Sequence, residues 1–150
     1  MRLREQMPEL AGATKWLNSN PIKKRDLIGK KPSFIHFWSV SCDTCKRAMP
    51  KVNRFRDEYN EQLNIIAVHM PRMKEDLDIE LIQTTATEHD ITQPVFVDND
   101  QTLSDAFHIK IVPAYYLFDT EGRLRHYHSG DGGMRLLHKR VNRLLGHTKN

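Results

Sequence analysis

Short, compact apolar runs alternate along the chain with stretches in which apolar residues recur at helical spacing. The runs are Phe34-Ile-His-Phe-Trp38, Ile65-Ile-Ala-Val68, Val95-Phe-Val97 and Tyr115-Tyr-Leu-Phe118. Runs of this kind predict buried strands covered by helices on both faces. After Cys42, the residues Ala48, Val52, Phe55 and Tyr59 fall on one helical face, and Pro50 inside that helix predicts a kink. Ile79, Ile82, Ala86 and His89 predict a second helix, and Leu103, Ala106 and Phe107 a short helical turn. Met134, Leu137, Val141, Leu144 and Leu145 predict a last helix, closed by Gly146. Leu124-Arg-His-Tyr-His128 alternates instead, as an edge antiparallel strand does. The turn Asp119-Thr-Glu-Gly122 joins it to the strand before it as a hairpin. The order β-α-β-α-β-(α)-β-β-α predicts an α/β fold with a central mixed sheet flanked by helices. The first 30 residues are the least patterned. Pro8 and Gly12 predict loop or a short hairpin there, and Ile22 to Ile28 a short helix leading to the first core strand.

A chain of 150 residues predicts a single domain over 1–150. That size hides roughly 68–70% of the unfolded surface without help from a disulfide or a metal. The two cysteines are therefore free for chemistry. Lys and Arg exceed Asp and Glu by 23 to 19, a formal charge of +4. The charges are mixed, as in Arg54-Phe-Arg-Asp-Glu58, which predicts a solvated surface and no nucleic-acid partner. The opening residues lack the run of about 7–15 apolar residues that a secretory signal needs. No stretch approaches the roughly 18 of a membrane span. The expectation is a cytoplasmic protein with no membrane partner.

Cys42 and Cys45 stand two residues apart, directly after a hydrophobic strand and at the start of a helix. The first turn of a helix presents unpaired N–H groups and the positive end of the dipole, which stabilise a thiolate. The thiol there is expected below its free pKa of about 8.5. Cys42 is expected to be the more exposed of the two and to act as nucleophile. Cys45, one turn further in, is the expected resolving thiol. Asp43 opposes the thiolate, whereas Lys46 and Arg47 favour it. From these charges the pair is expected near the reducing end of the range, closer to about −270 mV than to about −120 mV. A structural zinc site needs about four Cys or His ligands. There is no second cysteine pair, although His126 and His128 share one face of their strand.

With those residues in view, the chain resembles the thioredoxin superfamily, and within it the TlpA/ResA-like group of thiol–disulfide oxidoreductases. The resemblance spans nearly the whole chain. Its carriers are Trp38-x-x-x-Cys42-x-x-Cys45-x-x-x-x-Pro50, Ile65-Ile-Ala-Val-His69, Asp90-Ile-Thr-Gln-Pro-Val-Phe-Val-Asp98 and Ile111-Val-Pro-Ala-Tyr-Tyr116. It implies a thioredoxin-like fold with an N-terminal extension, and monomeric protein. It implies a cis Val112–Pro113 peptide facing the disulfide, whose neighbouring backbone pairs with an extended substrate. It implies that Trp38 packs beside the substrate site. His36 falls where thioredoxin keeps a buried acid that helps deprotonate the resolving cysteine, which makes it a candidate proton acceptor.

The expected activity is reduction of protein disulfides through the Cys42/Cys45 dithiol. No metal or organic cofactor is expected. Electrons are expected from a thioredoxin system or a small thiol. Two alternatives stay open. One is a peroxiredoxin, disfavoured by the close cysteine spacing. The other is a redox-sensing or metal-holding interaction module that turns over no substrate.

Overall fold

The computed structural model describes residues 1–146. At its centre, β2 (Ser33–Trp38) lies parallel to β3 (Asn64–His69), joined by the long helix α2 (Asp43–Tyr59). The strand β4 (Val95–Val97) continues the parallel set beside β3. On the other flank, β5 (Ala114–Phe118) pairs antiparallel with β2, and β6 (Leu124–Ser129) antiparallel with β5. A short β1 (Lys15–Leu17) runs antiparallel along β4, so the sheet order is β1-β4-β3-β2-β5-β6.

β2 is buried along its whole length, which follows from its central place. Its side chains alternate between two apolar layers, as strand periodicity requires. Phe34 and Trp38 enter one layer with Met49, Val52 and Phe55 of α2. Ile82 and Ala86 of α3 (Ile79–Glu88) and Leu137 and Val141 of α5 (Met134–Leu144) complete that layer. Ile35 and Phe37 enter the other, against Leu103 of α4 (Thr102–Ala106), Phe107, Leu27 of α1 (Lys24–Leu27) and the N-terminal Met7 and Leu10. β6 is the outer strand and mostly half-buried or exposed, in line with its alternating pattern.

Two details depart from the sequence pattern. β1 was not expected. Three residues are too few to show a period, and the strand exists because it pairs with β4 and Trp16 packs edge-on against Phe96, ring centroids 5.2 Å apart. Residues 4–7 close along the β5–β6 hairpin, with Arg4 N–H donating to the Leu124 carbonyl at 2.7 Å. α2 runs as one helix through Pro50. Gly146 has a φ of 78°, the left-handed conformation that ends α5 and that glycine adopts at least cost. No helix among the described residues is long and apolar enough to cross a membrane.

Candidate active site

The parallel strands β2 and β3 end at the same side of the sheet, and the chain leaving β2 carries Ser39, Val40 and Ser41 directly to Cys42. Cys42 is the N-cap of α2, with extended backbone at φ −100° and ψ 102°. Its Sγ accepts the backbone N–H of Cys45 at 3.0 Å. The helix therefore aims one of its unpaired first-turn donors at this sulfur. Cys42 and Cys45 form a disulfide, with Cα atoms 5.2 Å apart.

Cys42, expected to be the more exposed of the two, is buried nearly as fully as Cys45, at 2% against 1% exposed. The loop before Pro113 closes over it, with the Val112 carbonyl oxygen 3.7 Å from Cys42 Sγ. The Val112–Pro113 peptide is cis. What separates the two sulfurs is the groove they meet. Cys42 lines a groove of about 460 Å³ together with Ser41, Met70, Arg72, Lys110 and Ile111, and Cys45 does not. Trp38, expected beside the substrate, is buried and offers a partner no surface. It packs edge-on to His69, ring centroids 5.0 Å apart, beneath the loop it precedes.

That loop is held from behind by residues that no motif announced. Asp76 sits in the 3-10 turn Lys74–Leu77 and is 1% exposed. Its Oδ2 accepts the Ser41 hydroxyl at 2.7 Å, the Arg72 N–H at 2.8 Å and the Met73 N–H at 3.3 Å. The Ser39 hydroxyl, with one proton to give, lies between the Met70 carbonyl oxygen at 2.5 Å and the same Oδ2 at 3.1 Å. Burial pushes the Asp76 carboxyl up, but these donors, Ser41 first, outweigh it and hold it below the usual carboxylate range. His69 Nε2 accepts the Val40 N–H at 3.2 Å, which leaves the ring proton on Nδ1. Burial pushes His69 down to about 4, against the opposing pull of the Asp76 carboxylate. The alternating hydroxyls of Ser39 and Ser41 were the one sequence hint of this arrangement. The turn after Trp38, closed by the Cys42 N–H donating to the Ser39 carbonyl at 3.1 Å, brings both hydroxyls to the one carboxylate.

His36 is placed differently from the expectation. Arg56 Nη1 donates to Gln93 Oε1 at 2.8 Å, which turns the amide so that Gln93 Nε2 donates to His36 Nε2, also at 2.8 Å. Burial first, and the Arg56 charge second, push His36 down to about 3. Among the described residues no hydrogen bond joins His36 to either cysteine, and its acceptor nitrogen is occupied by Gln93. His126 and His128 lie on β6, where His128 Nε2 is 3.1 Å from the Asp131 carbonyl oxygen. Among the described residues no three His, Cys, Asp or Glu side chains converge as metal ligands would.

A fold of this topology with a Cys-x-x-Cys disulfide at the head of α2 is that of the thioredoxin-like proteins, and the chain belongs to the AhpC/TSA family, which it matches over residues 3–127. It is 58% identical over 149 residues to the thiol-disulfide oxidoreductase YkuV of Bacillus subtilis (strain 168), covering 99% of this chain and 100% of that protein. A thioredoxin-like protein solved in solution in its oxidized form, also 58% identical, superimposes with a TM-score of 0.88 over 99% of this chain and 100% of that one. Protein DipZ of Mycobacterium tuberculosis (strain CDC 1551 / Oshkosh) is 32% identical over 146 residues, 95% of this chain and 21% of DipZ.

Proposed function

We propose that this protein reduces disulfide bonds of protein substrates, with Cys42 as nucleophile and Cys45 as resolving thiol. One observation carries the assignment. Cys42 both lines the groove and receives the Cys45 N–H at the head of α2, whereas Cys45 lies behind it. In the dithiol state the Cys42 thiolate attacks one sulfur of the partner's disulfide. A Cys42–partner bond forms and the partner's other sulfur leaves as a thiolate. The Cys45 thiolate then attacks Cys42 Sγ. The Cys42–Cys45 bond forms, the mixed bond breaks, and the second partner sulfur leaves. Two electrons pass to the partner, whose two thiolates take up the protons lost by Cys42 and Cys45.

The partner's backbone is held beside Pro113. In support, the peptide groups of Lys110, Ile111 and Val112 make no backbone hydrogen bond among the described residues, which leaves an edge for an extended chain. Trp38 supports the site from the core. The protein acts as a monomer in the cytoplasm, and a thioredoxin system or a small thiol returns it to the dithiol. His36 is a neutral core imidazole in this scheme. Resolution of the mixed disulfide in His36→Gln is expected at the native rate, and slower resolution would restore it as the proton acceptor.

Trapping tests the assignment. Cys45→Ser is expected to accumulate a mixed disulfide with a reduced and reoxidised protein substrate such as insulin, and Cys42→Ser to accumulate none. Equal trapping by both variants, or trapping by Cys42→Ser alone, would overturn it.

A further inference from the structure

Around Cys42, three kinds of group find no partner among the described residues. Arg72 and Lys110 both line the groove, both are exposed, and neither side chain makes an ion pair or hydrogen bond among the described residues. Apart from the Val112 carbonyl, which faces Cys42 Sγ at 3.7 Å, the peptide groups of Lys110 to Val112 make no hydrogen bond among the described residues. Ile111 is 58% exposed and Met73, next to Arg72, 51%. Of the two, Ile111 lines the groove itself, so its open apolar side chain is available to whatever reaches Cys42.

The Arg72 cation is carried on anchored backbone, and Lys110 on a short segment between anchored residues. The Arg72 N–H is held by Asp76 at 2.8 Å. Lys110 makes no backbone hydrogen bond of its own, but it lies between two held residues: the Ile109 N–H donates to the Ser104 carbonyl at 2.9 Å and the Pro113 carbonyl accepts the Gly130 N–H at 2.7 Å. One carboxylate, Asp43, also lines the groove, but it is the first residue of α2 and faces the positive end of that helix. The groove therefore presents two unmatched positive charges against one negative charge already offset.

We infer that the groove selects an extended polypeptide whose disulfide is flanked by aspartate or glutamate. Its carboxylates meet Arg72 and Lys110, and its backbone meets the free peptide edge at Lys110–Val112. The polypeptide, rather than a small anionic disulfide, is favoured by that edge and by Ile111, which lines the groove and which a small molecule would leave uncovered. This rests on the oxidoreductase reading above and names the substrate class of the same site.

The test uses the full chain in its dithiol form and three cyclic peptides with one disulfide each, flanked by Glu, Gln or Lys. Second-order reduction rates are read in low salt. The Glu peptide is expected to react about tenfold faster than the Lys peptide, a gap that narrows as salt screens it. Arg72→Glu combined with Lys110→Glu is expected to invert the order. Lys30→Glu combined with Lys139→Glu makes the same charge change on exposed sites outside the groove, and is expected to keep the order. Equal rates for the three peptides, or the native order in the Arg72→Glu/Lys110→Glu protein, would overturn the proposal. So would oxidised glutathione reacting as fast as the Glu peptide. Failure of the oxidoreductase reading looks different: no peptide, and no uncharged dithiodipyridine, would be reduced.

Discussion

The two walls of the disulfide are built on opposite principles. On one side, the segment Ser39–Ser41 has its hydroxyls and the Val40 N–H bound by Asp76, Met70 and His69, all from elements well separated in sequence. On the other, Lys110–Val112 has peptide N–H groups, an exposed Ile111 and a lysine that find no hydrogen-bond or ion-pair partner among the described residues. The first wall satisfies its polar groups internally and so fixes where Cys42 sits. The second leaves them open, and a partner chain is what would satisfy them. A site that must hold its own sulfur still while accepting many residues of another protein needs both.

The contrast can be broken from the closed side. Asp76→Ala leaves the Ser41 hydroxyl and two backbone donors without their acceptor. It is expected to lower unfolding free energy by about 2–3 kcal/mol in urea titration. Asp76→Asn, which keeps one acceptor oxygen, should lose less, and an unchanged midpoint in Asp76→Ala would mean that the closed wall is not held as described.

Acid should loosen this wall and the core behind it more gradually. His36 and His69 are pushed down to about 3 and about 4, so their folded values lie below the ordinary histidine value near 6.5. Between those values the unfolded chain binds protons that the folded chain does not, so stability falls as pH drops from about 6.5 toward 4. Asp76, held below the carboxylate range, adds a further loss only in stronger acid. Melting temperatures from pH 7.5 to 4.5 check this, and His36→Gln and His69→Gln should each flatten the profile.

The smallest change in stability belongs to the open side. Ile111→Asp touches an exposed residue and should shift unfolding by no more than about 0.5 kcal/mol. It should nevertheless slow reduction of insulin several-fold, because the partner's contact is lost. A large stability loss with normal insulin reduction would reverse the roles given to the two walls.

The sequence made the open wall easier to read than the closed one. The strand ending at Trp38, the helix headed by Cys42 and the loop reaching Pro113 are each local patterns: a compact apolar run, a helical period, a proline before an apolar strand. The closed wall depends on Asp76 meeting Ser41 across 35 positions, and the place of His36 in the core likewise depends on Gln93, 57 positions away. Nothing local to Asp76 or Gln93 marks either as a partner. The burial of Cys42 was unreadable for the same reason, since the loop at Val112 that covers it lies 70 positions away. β1 was missed because only its pairing with β4 makes it a strand.

The central claim is that Cys42 and Cys45 cycle reversibly between dithiol and disulfide. It is tested most directly by equilibrating the protein in dithiothreitol buffers of defined poise, alkylating free thiols and weighing the product. One reversible internal disulfide is predicted, with a midpoint nearer thioredoxin's value of about −270 mV than the strongly oxidising value of about −120 mV. If no internal disulfide forms at any poise, the chain does not exchange disulfides through this pair, and a partner-binding or metal-holding role takes its place.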